Sequence, residues 1–446
     1  MRISNTFVLA IAVLAALTTR SPVAATGDDI SGNWDIELLQ FGMESYIRLS
    51  LENSEDGYTG SMNALRRSWH MTGQIDGETV TLVCRATEDP DSRTCGTFIA
   101  QSDGGRLTGE GTFFGSPITF TGVRPAPRPA NGPTVHNFDP TTFALNYSGD
   151  QEPVLRVHAG DTINTRTIDA GGIDENGARA WTFGNPQTGP FYVNGAMPGD
   201  TLVIDLKRLR LNSATANMYG NRLAANALNP FYVRDMVQGD KADGLWTVDR
   251  ETGTASLTNP SEKLKDFKIT LKPMLGGIGV APPSNQSIRA GDLGPFGGNM
   301  DYPNVAEGAR LYLPVFRPGA YLFFGDAHAA QGDGELTGTG LETSMEVSLG
   351  IDIIEGWTLG QPWLENDEYV MVMGIAGSLD DALREATTGM SRWLAHTYDL
   401  DSSEIAMVLG ASLKYDIAEI VDPHINVVAR LSKQVLAGIP VINAVE

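Results

Sequence analysis

Residues 310–335 read RLYLPVFRPGAYLFFGDAHAAQGDGE. The first half, with short apolar runs on either side of a Pro-Gly joint, has the texture of two strands meeting at a turn. The second half, GDAHAAQGDGE, sets three carboxylates, one histidine and one glutamine within eleven residues, with no lysine or arginine. A strand that runs into so much uncompensated acid leaves two outcomes: water solvates the charge, or a cation sits beside it.

The strand texture extends outward in both directions. VLRVHAGDTINTRTI (154–168) and PFYVNGAMPGDTLVIDLKRLRL (190–211) repeat it. Between Ile30 and Val123 the segments SGNWDIELL, SYIRLSLE, GYTGSMNA, TVTLVCRA, GTFIAQSD, RLTGEGTF and ITFTGVRP alternate with a period of two between turn residues. The 50 glycines and 24 prolines suit many short strands. Helical signals come late. LDDALREATTGMSRWLAHTYD brings Leu379, Leu383, Ala386, Met390 and Leu394 near one face, with Asp380 and Asp381 at its start. SSEIAMVLGASLKYDIAEIV (402–421) reads as a second helix capped by Asp401 and Ser402. The expected fold class is therefore α+β and mostly β: a small N-terminal antiparallel β-barrel or sandwich, then a larger β-sandwich-like domain with C-terminal helices.

Arg2, the apolar run FVLAIAVLAAL (7–17) and the small residues Val23, Ala24 and Ala25 together describe a signal peptide over residues 1–25. The expected product is exported, periplasmic or secreted. Residues 26–123 form an accessory all-β domain, 124–140 a Pro- and Asn-rich linker and 141–446 the larger domain. In an oxidising compartment Cys84 and Cys95 would close a local bridge around DPDSR. A formal charge of −22 excludes the concentrated basic surface that nucleic acid or an anionic membrane requires.

Asp326 and His328, two apart on an extended segment, point to one side and can share a divalent cation; Asp333 and Glu335 repeat the spacing. Zinc combines imidazole with carboxylate, whereas calcium prefers oxygen donors, and an ordinary acidic surface loop stands as the bland alternative. Asn299 and Asp301 in GGNMD, Asp169 in TIDAGG and Glu342 in ETSMEVSL are further polar positions beside glycines or apolar strand faces. In that last segment Glu342 and Glu346 face one way, along either an exposed sheet or a cleft. The signatures of elbow-type serine hydrolases, zincins and P-loop enzymes are absent.

At these residues the chain resembles the acetamidase/formamidase family, through VHAGDTINTRTIDAGG, GNPQTGPFYVNGAMPGDTLVIDL, GGIGVAPP, GPFGGNMD and LYLPVFRPGAYLFFGDAHAAQGDGELTGTGLETSMEVSL in that order. The likeness covers about residues 150–350, more loosely the tail, and excludes residues 26–125. It implies hydrolysis of a small linear or cyclic amide to a carboxylate and ammonia or amine, on a β-rich fold that holds metal. Asn299, Asp301, Asp326, His328, Asp333, Glu335 and Glu342 fall in its blocks, and Phe296 stands where a polar residue, often His, is expected. The expected metal ligands are His328, Asp326, Asp301 and Glu335, around zinc first and calcium second. Glu342 is the expected general acid/base, Asn299 the oxyanion donor and Asp169 a further catalytic residue. The expected partner is a small-molecule amide, with a homo-oligomer considered. The rival from another class is an exported, non-catalytic protein that binds a ligand or polymer on the same fold.

Overall fold

The computed structural model describes residues 29–64, 67–103, 105–127, 129–220, 222–235 and 243–443, and the expected signal peptide lies outside them. From Gly32 to Val123 the chain forms a closed barrel of eight strands, the last of which, Ser116–Val123, pairs with the first, Gly32–Gln40. Alternation supplies its interior: Trp34, Ile36 and Leu38 point inward with Ile47, Leu49 and Leu51. One strand, Arg67–Asp76, was not among the segments expected from alternation. Its inward position 73 is glycine, where a Cβ would lie 2.7 Å from Leu82 Cδ2, so packing space replaces the apolar signal there. Cys84 and Cys95 are disulfide-bonded.

Beyond the barrel, the described residues form a two-stranded pair of Asn146–Tyr147 with Ile288–Arg289 and two larger sheets, one of eleven strands and one of nine. A single apolar core joins them, with Ile204, Leu206 and Leu349 from the nine-stranded sheet and Leu275, Ile278 and Phe324 from the other. This is a β-sandwich, and the helix Leu379–Tyr398 covers the outer face of the nine-stranded sheet through Ala386, Met390, Trp393 and Leu394. Leu379 and Leu383, expected on that face, are instead exposed. The buried stripe runs through the small residues Ala382, Ala386 and Gly389 because the helix packs close to the sheet; a Cβ on Gly374 would meet Ala382 O at 2.0 Å.

The second helix is shorter than expected. It spans Ser402–Ser412, with a capping box between Asp401 and Glu404, and Lys414–Glu419 is then a strand. KYDIAE pairs with Ile425–Ser432, and tertiary pairing overrides its helical spacing. Strands therefore follow the helices, and this last hairpin returns to the sandwich. Val135–Asn137, within the expected linker, adds a parallel strand beside Thr162–Thr167.

The barrel touches the sandwich through an ionic contact. Arg48 Nη2 donates to Asp200 Oδ2 at 3.1 Å and to Gly195 O at 2.7 Å. Asp200 is buried and also accepts from Met197 N and Gly356 N. Removing Arg48 leaves a buried carboxylate without its cation, although two backbone N–H groups still serve it. Arg48→Ala is expected to lower stability by about 2 kcal/mol, read as a fall in the denaturant midpoint; an unchanged midpoint would show that the contact carries no stability.

Candidate active site

Strand register creates the site. Leu322–His328 lies between Met274–Gly279 and Glu342–Thr343, and it sets His328 directly opposite Glu342. Directly opposed residues project to the same face. His328 Nε2 consequently lies 3.1 Å from Glu342 Oε1, 3.6 Å from Asp326 Oδ1 and 3.9 Å from Asp301 Oδ1. Glu335 completes a second group with Asp301 and His328, ligand atoms lying within 4.8 Å of one another in each. All five residues are buried.

The backbone is bent to bring the carboxylates in. Asp301, Asp326 and Glu335 adopt φ values of 43°, 53° and 45°, and Asn185, which lines the same cavity, 56°. Such left-handed positions cost of order 1–3 kcal/mol each for non-glycine residues and persist where the surrounding structure holds them. Asp326 therefore reaches the histidine from a local kink, not from the straight strand that its spacing implies. Opposite that kink is Gly276, where a Cβ would lie 2.3 Å from Asp301 Oδ1 and 2.8 Å from Asp326 Oδ2. Only a residue without a side chain leaves the two carboxylates room.

Several residues that sequence reasoning missed hold these groups. Gln331 Nε2 donates to Asp301 O at 2.6 Å and to Ala418 O at 3.4 Å, which turns its Oε1 toward His328 Nδ1 at 2.8 Å. Nδ1 must then carry a proton, so in the neutral ring the lone pair on Nε2 faces the carboxylates. Asn185 Nδ2 donates to Asn299 Oδ1 at 3.0 Å and to Asp326 Oδ2 at 3.2 Å. Asp422, from the C-terminal hairpin, accepts from Asn299 Nδ2 at 2.8 Å. Asn426 Nδ2 in the same hairpin holds Met300 O at 2.7 Å. Gln331 stands inside the acidic block, whereas Asn185 and the hairpin are distant in sequence and carry no local signal.

The other expected residues fall in different places. Both hydrogens of Asn299 Nδ2 are taken, by Asp301 Oδ2 at 2.6 Å and by Asp422, so the side chain organises carboxylates instead of offering a free donor. Asp169 accepts from Ile173 N, Asn217 Nδ2 and Tyr219 Oη and stands outside the cluster around His328. Asp333 is exposed. Glu342 and Glu346, expected on one face, lie in different sheets: Glu342 is buried, and Glu346 pairs with Arg208 at the surface. Phe296 points into the core against Tyr147, with centroids 5.5 Å apart, and does not enter the cavity.

The site's charge is unbalanced. Burial pushes the Glu342 carboxyl up to about 8, against the pull of His328, and Asp326 adds to the shift. Burial and neighbouring acids likewise hold Asp301 and Glu335 well above the usual carboxylate range. Asp422 is pushed to about 7 and Glu419, behind it, to about 8, burial being the leading cause in each. Burial opposes protonation of His328, but Glu342 and Asp326 outweigh it and raise its pKa. One imidazole cannot neutralise so many acids. Asp301 Oδ1, Asp326 Oδ1, His328 Nε2 and Glu342 Oε2 are buried without a hydrogen-bond partner among the described residues. Converging unsatisfied oxygen and nitrogen donors fit a divalent cation.

The Acetamidase/Formamidase family model matches residues 294–424, a span that holds Asp301, Asp326, His328, Glu335 and Glu342. The family model, the curated relatives and the solved structures all agree with an acetamidase/formamidase assignment. A formamidase of Methylophilus methylotrophus is 27% identical over 191 residues, 34% of this chain and 46% of that protein. An acetamidase of Mycolicibacterium smegmatis is 43% identical over 61 residues, 14% of this chain and 15% of that one. The chain thus spans less than half the length of these curated relatives. Among solved structures, a predicted acetamidase/formamidase of Thermoanaerobacter tengcongensis superposes with a TM-score of 0.60 at 28% identity, covering 69% of this chain and 99% of that one. An acetamidase of Yersinia enterocolitica gives 0.58 at 29% identity, covering 68% and 93%.

Two outcomes are expected of this site. Carboxyls with folded pKa values raised to about 7 or 8 at Asp422, Glu342 and Glu419 bind protons that the unfolded chain, with values near 4, has already lost. Their contribution is fully present below about pH 4 and is lost as pH rises toward 8. The melting temperature of chelator-treated protein should therefore fall across that window, and added divalent cation should restore it. Gly276→Ala should weaken metal binding roughly 10–100-fold with the circular-dichroism spectrum unchanged, as measured by competition with a chromogenic chelator.

Proposed function

We propose that this protein hydrolyses a carboxamide to a carboxylate and ammonia, with a divalent cation held by His328, Asp326, Asp301 and Glu335. The observation that carries this reading is the convergence of three buried, unpartnered donor atoms, Asp301 Oδ1, Asp326 Oδ1 and His328 Nε2, beside a cavity that Asp326, Glu335 and Glu342 line. Zinc suits a set that combines imidazole with carboxylates better than calcium does. When bound, such an ion polarises a carbonyl oxygen and acidifies water.

The chain's own groups do the rest. An amide resists attack because its nitrogen is a poor leaving group until it is protonated. Glu342, with a pKa near 8, exchanges a proton close to neutral pH and lines the cavity, so it can take a proton from water and deliver it to the departing nitrogen. Gly340 N donates to Glu342 Oε1 at 2.9 Å, which leaves Oε2 for the substrate. Asn299 and Asn185 keep Asp301, Asp326 and Asp422 apart at fixed distances. Gln331 fixes the histidine tautomer whose Nε2 lone pair serves the cation.

Export is part of the same proposal. Residues 1–25 have the composition of a signal peptide, and the Cys84–Cys95 bridge suits an oxidising compartment. N-terminal sequencing of protein recovered outside the cytoplasm should begin near residue 26.

Metal-replete protein is expected to release ammonia from at least one member of a panel of linear and cyclic amides. Glu342→Gln should lower kcat by about 10²–10⁴ while metal content and melting temperature are retained. Wild-type protein of verified metal content that releases no ammonia or amine from any of them would end the reading.

A further inference from the structure

The cavity that reaches Glu342 and Asp326 has a volume of about 540 Å³. Formamide or acetamide takes on the order of 60–100 Å³, two or three times the share of one liquid water. A pocket of this size is on the scale of a ligand several times larger.

One wall of that cavity is aromatic. Phe183 and Tyr219 both line it, with ring centroids 5.9 Å apart and planes at 90°. Phe183 is 65% exposed and Tyr219 38%, so the pair leaves apolar ring surface open beside the acids. Tyr219 is not free to swing. Its hydroxyl donates to Asp169 Oδ2 at 2.8 Å, and Asp169 is held by Ile173 N at 2.7 Å and Asn217 Nδ2 at 3.2 Å. A Cβ on Gly171 would lie 2.0 Å from the Tyr219 hydroxyl oxygen, so the phenol sits directly on that backbone. On the other side Gly220 N donates to Thr339 Oγ1 at 3.1 Å, tying the segment to a residue of the same cavity. Burying a carboxylate to anchor a phenol is costly. The cost is understandable where the position of the ring matters, and a fixed ring is a surface on which a flat ligand gains edge-to-face or offset-stacked contact.

We propose that this site takes aryl carboxamides, with the ring of the substrate against Tyr219 and Phe183 and with Asp169 as a positioning residue that fixes Tyr219. The proposal rests on the amide-hydrolysis reading and supplies its substrate class. In the reaction a water oxygen bonds to the aryl carbonyl carbon, the C–N bond breaks, one water proton leaves on the nitrogen as ammonia and the other passes from the new carboxyl group to that ammonia, giving an arenecarboxylate and ammonium.

Steady-state kinetics of metal-replete protein on benzamide and acetamide test it, together with calorimetric binding of benzamide to Glu342→Gln. The value of kcat/KM is expected to favour benzamide by at least about tenfold, and Phe183→Ala, at an exposed position that keeps folding safe, should reduce that preference by about tenfold. Asp169→Asn should raise KM for benzamide more than it lowers kcat, a split that a general loss of structure would not give. If acetamide is hydrolysed as well as benzamide, or if Phe183→Ala leaves their ratio unmoved, the substrate class is overturned and amide hydrolysis stands. If neither amide is turned over but benzamide binds Glu342→Gln and the same substitution made with Phe183→Ala loses that binding, the hydrolytic reading falls and the aryl site stands.

Discussion

The uncompensated negative charge around His328 is the constraint on which the rest of this structure depends. Carboxylates at 301, 326, 335 and 342 are buried within reach of a single imidazole, and isolated buried charge is among the most expensive things a fold can hold. Two routes lower that cost: protons, which the raised pKa values of Glu342, Asp301 and Glu335 record, and a cation. Both mark a centre poised to exchange charge at neutral pH. A solvated acidic loop would need neither.

Holding such a centre requires rigid surroundings, and the sandwich provides them. Glu342 and His328 come from adjacent strands, so their separation is fixed by ladder hydrogen bonds. Asp301 follows a glycine pair whose left-handed φ values, 85° and 96°, let that strand lie against its neighbours. The C-terminal hairpin then closes over the same loop, through Asn426 to Met300 and through Asp416 to Tyr302. The tail thus belongs to the site's architecture even though its sequence carries no acidic motif like that of 325–335.

Much of the fold was legible from alternation, because a half-buried strand must place apolar residues at every second position. Legibility failed where another force outweighed local preference. Gly73 removed the apolar mark from a barrel strand to make room for Leu82. The helix Leu379–Tyr398 turned its small residues, not Leu379 and Leu383, to the sheet, because close approach selects against bulk. KYDIAE has helical spacing yet forms a strand, since Ile425–Ser432 offers a ladder that an isolated helix end cannot match.

The sequence by itself determined the kinds of chemistry available: acids and one histidine packed into a short glycine-rich block, free of nearby cations, with a second polar block at 297–301. Composition and spacing act locally, so they could name these groups. Only the tertiary structure decided which of them meet. It brought in Asn185, Gln331 and Asp422, left Asp333 in solvent, sent Glu346 to another sheet and assigned Asp169 to Tyr219. The physical reason is register: strand pairing joins residues far apart in the chain, and a single kink at Asp326 or one missing side chain at Gly276 sets distances that no spacing rule encodes.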